Sequence, residues 1–144
     1  MQLLHNIIEE KKENINTQLS ATYIFKEIEL SKNELEIEAI KFVQKLGIRS
    51  NLMGYSFLVK AIMLSLESPH LLKSMTKELY PMIANYYGSD VKNVERNIRN
   101  AITSAYENDP ERIQAIFYYK VNKPYISEVL SLAVETIKYA LPAN

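Results

Sequence analysis

The chain has 144 residues, 47% of them hydrophobic and 24% charged, the size and balance of one globular domain and not of a disordered or fibrous chain. It has no cysteine, which excludes disulfides and thiolate metal sites, and only 3 Gly and 5 Pro, little material for the turns of an all-β fold. Net charge is zero, but residues 1–40 carry 4 Lys against 8 Glu while residues 41–144 carry 13 basic against 9 acidic side chains, so an acidic leader precedes a mildly basic body.

No apolar run approaches the roughly 18 residues that span a bilayer, and the N-terminus has acids where a secretory signal has bases. The expectation is a soluble, cytoplasmic protein without a membrane partner. In the leader, Leu4, Ile8, Ile15 and Leu19, with Leu3 and Ile7 beside them, keep approximately helical spacing around the charged run Glu9–Glu13. Residues 21–30 fit strand or helix equally. Ser31, Lys32 and Asn33 read as punctuation before a new element, dividing the chain into a leader, 1–33, and a body, 34–144.

In the body the helical pattern is firm. Leu35, Ala39, Ile40, Val43 and Leu46 form a stripe ended by Gly47. After Gly54 a second helix buries Phe57, Leu58, Ala61, Ile62 and Leu66, and Ser68-Pro69 breaks the chain. A third runs from about His70 to Tyr87, with Leu72, Met75, Leu79, Ile83 and Ala84 inward. Pro81 predicts either a kink near Lys77 or a fresh start at Tyr80. Gly88 closes this helix, and Ser89 and Asp90 are N-cap candidates for a fourth, 89–106. Asp109-Pro110 opens a short fifth with Ile113, Ile116 and Phe117. Pro124 precedes a sixth, with Ile126, Val129, Ala133, Ile137 and Ala140 inward. The expected fold is all-α: a compact six-helix domain behind a helical or partly extended leader.

Ala84, a small residue, and Gly88, at a tight turn directly before the fourth helix, give the layout of a helix-turn-helix. In that helix Val91, Val94, Ile98, Ala101, Ile102 and Ala105 share one side. Lys92, Arg96, Arg99, Asn100 and Thr103 share the other, with Asn93 and Glu95 at its margins. Arg pairs with guanine, Asn with adenine, and Lys or Thr with phosphate, so this side has the donors that read DNA. A solvated helix face has the same composition, and the residues alone leave both readings open.

The run SMTKELYPMIANYYGSDVKNVERNIRNAITSAY resembles the helix-turn-helix of the C-terminal effector domain of the stage-zero sporulation-initiation response regulators. That family shows Thr-Lys-x-Leu-Tyr-Pro-x-Ile-Ala, here Thr76 to Ala84, and Val-Glu-Arg-x-Ile-Arg-x-Ala-Ile, here Val94 to Ile102. LGIRSNLMGYSFLVKAI and RIQAIFYYKVNKPYISEVLSLA resemble its flanking segments, so the likeness spans about 34–141. The resemblance implies promoter binding through the fourth helix at a short operator element, often as head-to-tail pairs. It also implies contact with the RNA polymerase sigma subunit from about Asn108 to Tyr118. Arg96 and Arg99 are expected at bases or phosphates, and Glu95 at a base or orienting an arginine. Asn93 stands where the family usually has Arg and Asn100 where it usually has His, changes that alter or weaken operator choice. The 33 residues ahead of the likeness are too few for the family's phosphorylatable receiver domain. Switching by phosphorylation within this chain is therefore not expected, and the leader is expected to dimerise, to mask the basic face, to extend the core or to have no role of its own.

Enzyme chemistry finds no foothold. His5 and His70 lack metal-type spacing, and His70 reads as a capping residue at a helix start. Three scattered glycines make no phosphate loop, and Glu9, Glu10, Glu34, Glu36 and Glu38 lie on polar segments with no apolar pocket to raise a pKa. Tyr80, Tyr86, Tyr87, Tyr118 and Tyr119 flank apolar stripes and read as core or edge packing. No cofactor and no catalysis are expected. Two functions remain: a sequence-specific transcription regulator bound to double-stranded DNA, or a degenerate relative that keeps the fold as a protein-interaction module.

Overall fold

The computed structural model describes residues 3–6 and 21–140, all of its regular structure being helical. Helix α1 spans Ala21–Lys45, α2 Met53–Glu67, α3 Tyr80–Tyr87, α4 Val91–Asn108, α5 Pro110–Gln114 and α6 Ile126–Ala140. Residues 3–6 are helical too, and Leu4 is buried in the same core as the body. The expected apolar positions Ile7, Ile8, Ile15 and Leu19 lie outside the described residues.

The break expected at Ser31 to Asn33 is not there: α1 runs straight through it, and Ser31 is fully buried. A serine can stay in a helix when its neighbours supply the burial, so its preference for turns was overridden by packing. The ambiguity at 21–30 resolves as helix. From Leu35 the expected stripe holds, with Leu35, Ala39, Val43 and Leu46 buried and Ile40 half-buried. Gly47 ends α1 at φ +86°, in the left-handed region that a side chain disfavours.

Helix α2 is the centre of the fold, packing against α1, α4 and α6. Its residues Phe57, Leu58, Ala61, Ile62 and Leu66 are fully buried, as their spacing predicts. Gly54 does more than precede this helix. It sits in the first turn, where an added Cβ would lie 2.3 Å from the Asn97 carbonyl oxygen and 2.7 Å from the Ala101 Cβ. The missing side chain lets the start of α2 press directly on the middle of α4.

The segment from His70 to Tyr87 is three pieces, with the fresh start at Tyr80 that Pro81 allows. Pro69 opens a 3-10 turn, Pro69–Lys73, followed by a π turn, Met75–Leu79, and then α3. The Leu79 N–H donates to the Ser74 carbonyl and the Tyr80 N–H to the Met75 carbonyl, each five residues back. Widening the turn there lets Pro81, which has no N–H and whose ring crowds the preceding turn, enter at the start of α3. The change of pitch moves the inward face: Leu71 is buried, whereas Leu72 and Met75 are half-buried.

Asp109 caps α5 by accepting from the Arg112 N–H at 3.1 Å, with Pro110 at the first helical position. Between α5 and α6, the Gln114 side chain donates to the Tyr119 carbonyl at 2.8 Å and accepts from the Val121 N–H at 2.9 Å. Ala140 is exposed at the end of α6 and not inward as expected. The expected core or edge packing of the tyrosines holds for Tyr80, Tyr86, Tyr87 and Tyr119. Tyr80 is buried, but Tyr86, Tyr87, Tyr118 and Tyr119 are exposed. Phe57 and Phe117 fill the apolar positions beside them and hold Tyr87 and Tyr119 by edge contacts at 5.3 and 5.6 Å.

Candidate nucleic-acid interface

Helix α3, the turn at 88–90 and helix α4 form a helix-turn-helix. Gly88 ends α3 at φ +65°, ψ +40°, and the Ala84 carbonyl accepts from both the Gly88 and Ser89 N–H groups, the latter at 2.8 Å. An added Cβ at Gly88 would meet nothing within 4 Å, so the turn needs glycine for its dihedral angles and not for space. The chain then swings to an extended Asp90, whose carboxylate accepts from the Asn93 N–H at 2.8 Å and caps α4. Asp90 is the cap; Ser89 has a different role.

Val94, Ile98, Ala101, Ile102 and Ala105 are buried, which fixes the rotation of α4 and turns its polar side outward. Lys92, Arg96, Arg99 and Asn100 are exposed, and Asn93, Glu95 and Thr103 are half-exposed. All seven residues expected from the sequence therefore reach the surface of one helix. Among the described residues Lys92, Asn100 and Thr103 have no side-chain partner, while the other four form two pairs, Asn93 with Arg96 and Glu95 with Arg99.

Asn93 is the centre of the first pair's contacts. Its Nδ2 donates to the Ser89 hydroxyl at 2.7 Å, and its Oδ1 accepts from Arg96 Nη2 and from Asn97 Nδ2, both at 2.9 Å. Asn97 Nδ2 also donates to the Asn93 carbonyl at 2.7 Å. Arg99 forms an ion pair with Glu95, one turn back. The two guanidinium groups are thus held by neighbours on their own helix, each keeping free N–H donors for an incoming acceptor.

Asn97 adds a residue to the site that the DNA-reading pattern of the sequence does not mark. It lies four residues after Asn93 on the same flank, a spacing that brings helical side chains together, and its carbonyl is the atom on which Gly54 rests. Burial pushes the Tyr80 phenol above its ordinary value, and the Arg99 charge works against that rise. Arg99 therefore sits within electrostatic reach of the start of α3. On the far side of the turn Lys60 lies 3.9 Å from the centre of the Tyr86 ring, and Glu36 of α1 and neighbouring Tyr86 add to the effect of burial in raising the Tyr87 phenol.

Other chemistry has little to work with. Among the described residues no group of three or more His, Asp or Glu is placed to hold a metal ion, and no helix is long and apolar enough to cross a membrane. His70 is exposed, with Nε2 3.7 Å from a Glu78 carboxylate oxygen, and does not cap a helix through its side chain.

A tight left-handed turn, a capped second helix and an outward row of cationic and amide side chains define an all-α helix-turn-helix domain of the DNA-binding class. The chain matches the family described as "Sporulation initiation factor Spo0A C terminal" over residues 39–137, more than half its length, and it belongs to that family. The family is one of DNA-binding regulatory domains in sporulation-related transcription, and not an enzyme class. The match runs from Ala39, in the last two turns of α1, to Ile137, about one turn before the end of α6.

Proposed function

We propose that this protein is a sequence-specific transcription regulator that lays α4 in the major groove, in the cytoplasm and without catalytic activity or a cofactor. The observation that carries the reading is the state of Arg96 and Arg99. Both are exposed, and both are oriented by a partner on the same helix, Arg96 by Asn93 and Arg99 by Glu95. A pre-oriented guanidinium loses less freedom on binding and can present two parallel donors to guanine O6 and N7. Lys92 and Thr103 are assigned to phosphates, Asn100 to a base edge, and Asn93 to a base edge or to holding Arg96.

The sigma-subunit contact is assigned to Asn108 to Tyr118, where Glu111, Arg112, Ala115 and Tyr118 are exposed just beyond α4. Pairing of two copies on adjacent operator elements is the dimer this reading favours. Residues 1–33 act as a leader to the DNA-binding unit of 34–144, with Leu4 anchoring the leader to the core.

The test is selection of bound duplexes from a random pool, followed by fluorescence anisotropy on the selected and a scrambled duplex. Arg99→Ala should cost about 1–3 kcal/mol on the selected duplex and little on the scrambled one. A second reading, a protein-interaction module, is favoured by the zero net charge and by the Glu95 carboxylate beside Arg99. Failure to enrich any sequence would support it.

A further inference from the structure

Of the four arginines, Arg96, Arg99 and Arg112 each have a side-chain partner, in Asn93, Glu95 and Asp109. Arg49 has none among the described residues, and it is exposed. It stands in the loop between α1 and α2, which is held by Gly47 at its left-handed φ and by the Leu52 N–H donating to the Arg49 carbonyl at 3.2 Å. Its neighbours are not random surface. Arg49, Ile48 and Leu52 line one wall of a cleft of about 280 Å³, and Ala101, Ser104, Ala105 and Asn108 of α4 line the other.

That cleft runs along the flank of α4. At about 100° per residue, Ser104 and Asn108 fall on the side of the helix next to Gly54 and away from Arg99. A helix in the major groove has a sugar-phosphate strand along each flank, since the groove is only about 12 Å wide. Ser104 lies eight residues past Arg96, so roughly 12 Å further along the axis. Glu107 and Asn108 are exposed at this end of α4, and Glu107 brings a carboxylate that repels phosphate. A cation on the flank is what makes approach of the strand favourable there.

We infer that Arg49 is a second DNA contact, made from outside the helix-turn-helix. Its guanidinium binds a backbone phosphodiester along the Ser104–Asn108 flank of α4 and fixes how the helix lies in the groove. The inference rests on the major-groove reading above. It adds a residue whose contribution carries no sequence information.

The experiment is anisotropy over a salt series for the full chain, Arg49→Ala, Arg49→Lys and Arg99→Ala, each on a selected and a scrambled duplex. Arg49→Ala should weaken binding by the same factor on both duplexes and lower the slope of log K against log salt by about 0.9, the loss of one phosphate contact. Arg49→Lys, which keeps the charge, should restore the slope. Unchanged affinity and slope for Arg49→Ala, or a loss confined to the selected duplex, would overturn the inference and leave the groove reading standing if Arg99→Ala still loses discrimination. If the unaltered chain fails to distinguish the duplexes, the groove reading itself fails, and the inference with it. Urea unfolding of Arg49→Ala should match the parent, because the side chain is exposed and has no partner among the described residues.

Discussion

Replacing Gly54 by alanine places a methyl group against the backbone of α4. The new Cβ would lie 2.3 Å from the Asn97 carbonyl oxygen, 2.7 Å from the Ala101 Cβ and 3.0 Å from the Asn97 carbonyl carbon. None of these atoms can rotate out of the way, so α2 and α4 must separate. Alanine gains up to about 1 kcal/mol over glycine in a helix interior, and less in a first turn. Overpacking of this kind costs about 1–3 kcal/mol, and contacts against rigid backbone belong at the upper end. The sum is a net destabilisation of about 1–2 kcal/mol. With a mid-range urea m-value of about 2 kcal/mol per molar, the unfolding midpoint should fall by roughly 0.5–1 M. DNA affinity should fall as well in the fraction that stays folded, because the displaced helix is the one that presents Arg96 and Arg99. A midpoint equal to or above the parent's would refute the close approach of these two helices.

Gly88→Ala meets no steric obstacle and should lose only the roughly 1–2 kcal/mol of a left-handed residue, most of it recovered by Gly88→Asn; a loss for Gly88→Asn equal to that for Gly88→Ala would contradict this. Asp90→Ala removes the cap on α4 and should lower stability by about 1 kcal/mol, measured by urea unfolding. Ser65 is fully buried and among the described residues its hydroxyl has no hydrogen-bond partner, so Ser65→Ala should raise stability by about 1 kcal/mol. Burial raises the Tyr80 phenol above its ordinary value of 10.0, and a raised phenol keeps its proton longer in the folded chain than in the unfolded one. Its contribution to stability is therefore complete below the unfolded value and lost as pH rises through the folded one. Tyr80→Phe should flatten the alkaline limb of a stability-against-pH curve, and an unchanged limb would count against the burial.

Much of the site is legible in the residues because it depends on local rules. Positive φ at Gly88, capping by Asp90 and the 3.6-residue period of Val94, Ile98 and Ala101 each act within a few positions of chain. The same rules mark Asp109-Pro110 and the end of α1 at Gly47. What escaped depends on distant partners. Ser31 stays in a helix because it is buried, which no local preference announces. The role of Gly54 is invisible until Asn97 is placed against it, and the position of Arg49 beside the flank of α4 is visible only once the two are packed together. Which tyrosines enter the core and which stay at its edge is decided in a related way: an aromatic beside an apolar stripe is buried only if no better residue fills the position, and Phe57 and Phe117 do.

The major-groove placement of α4 is tested most directly by methylation interference with dimethyl sulfate on a selected duplex. The reagent marks guanine N7, which lies in the major groove, and adenine N3, which lies in the minor groove. The account predicts that methylated guanines abolish binding at one or two positions, that methylated adenines do not, and that Arg99→Ala or Arg96→Ala removes the effect at a single guanine. Interference confined to adenine N3, or none at all on a duplex the protein binds, would contradict it.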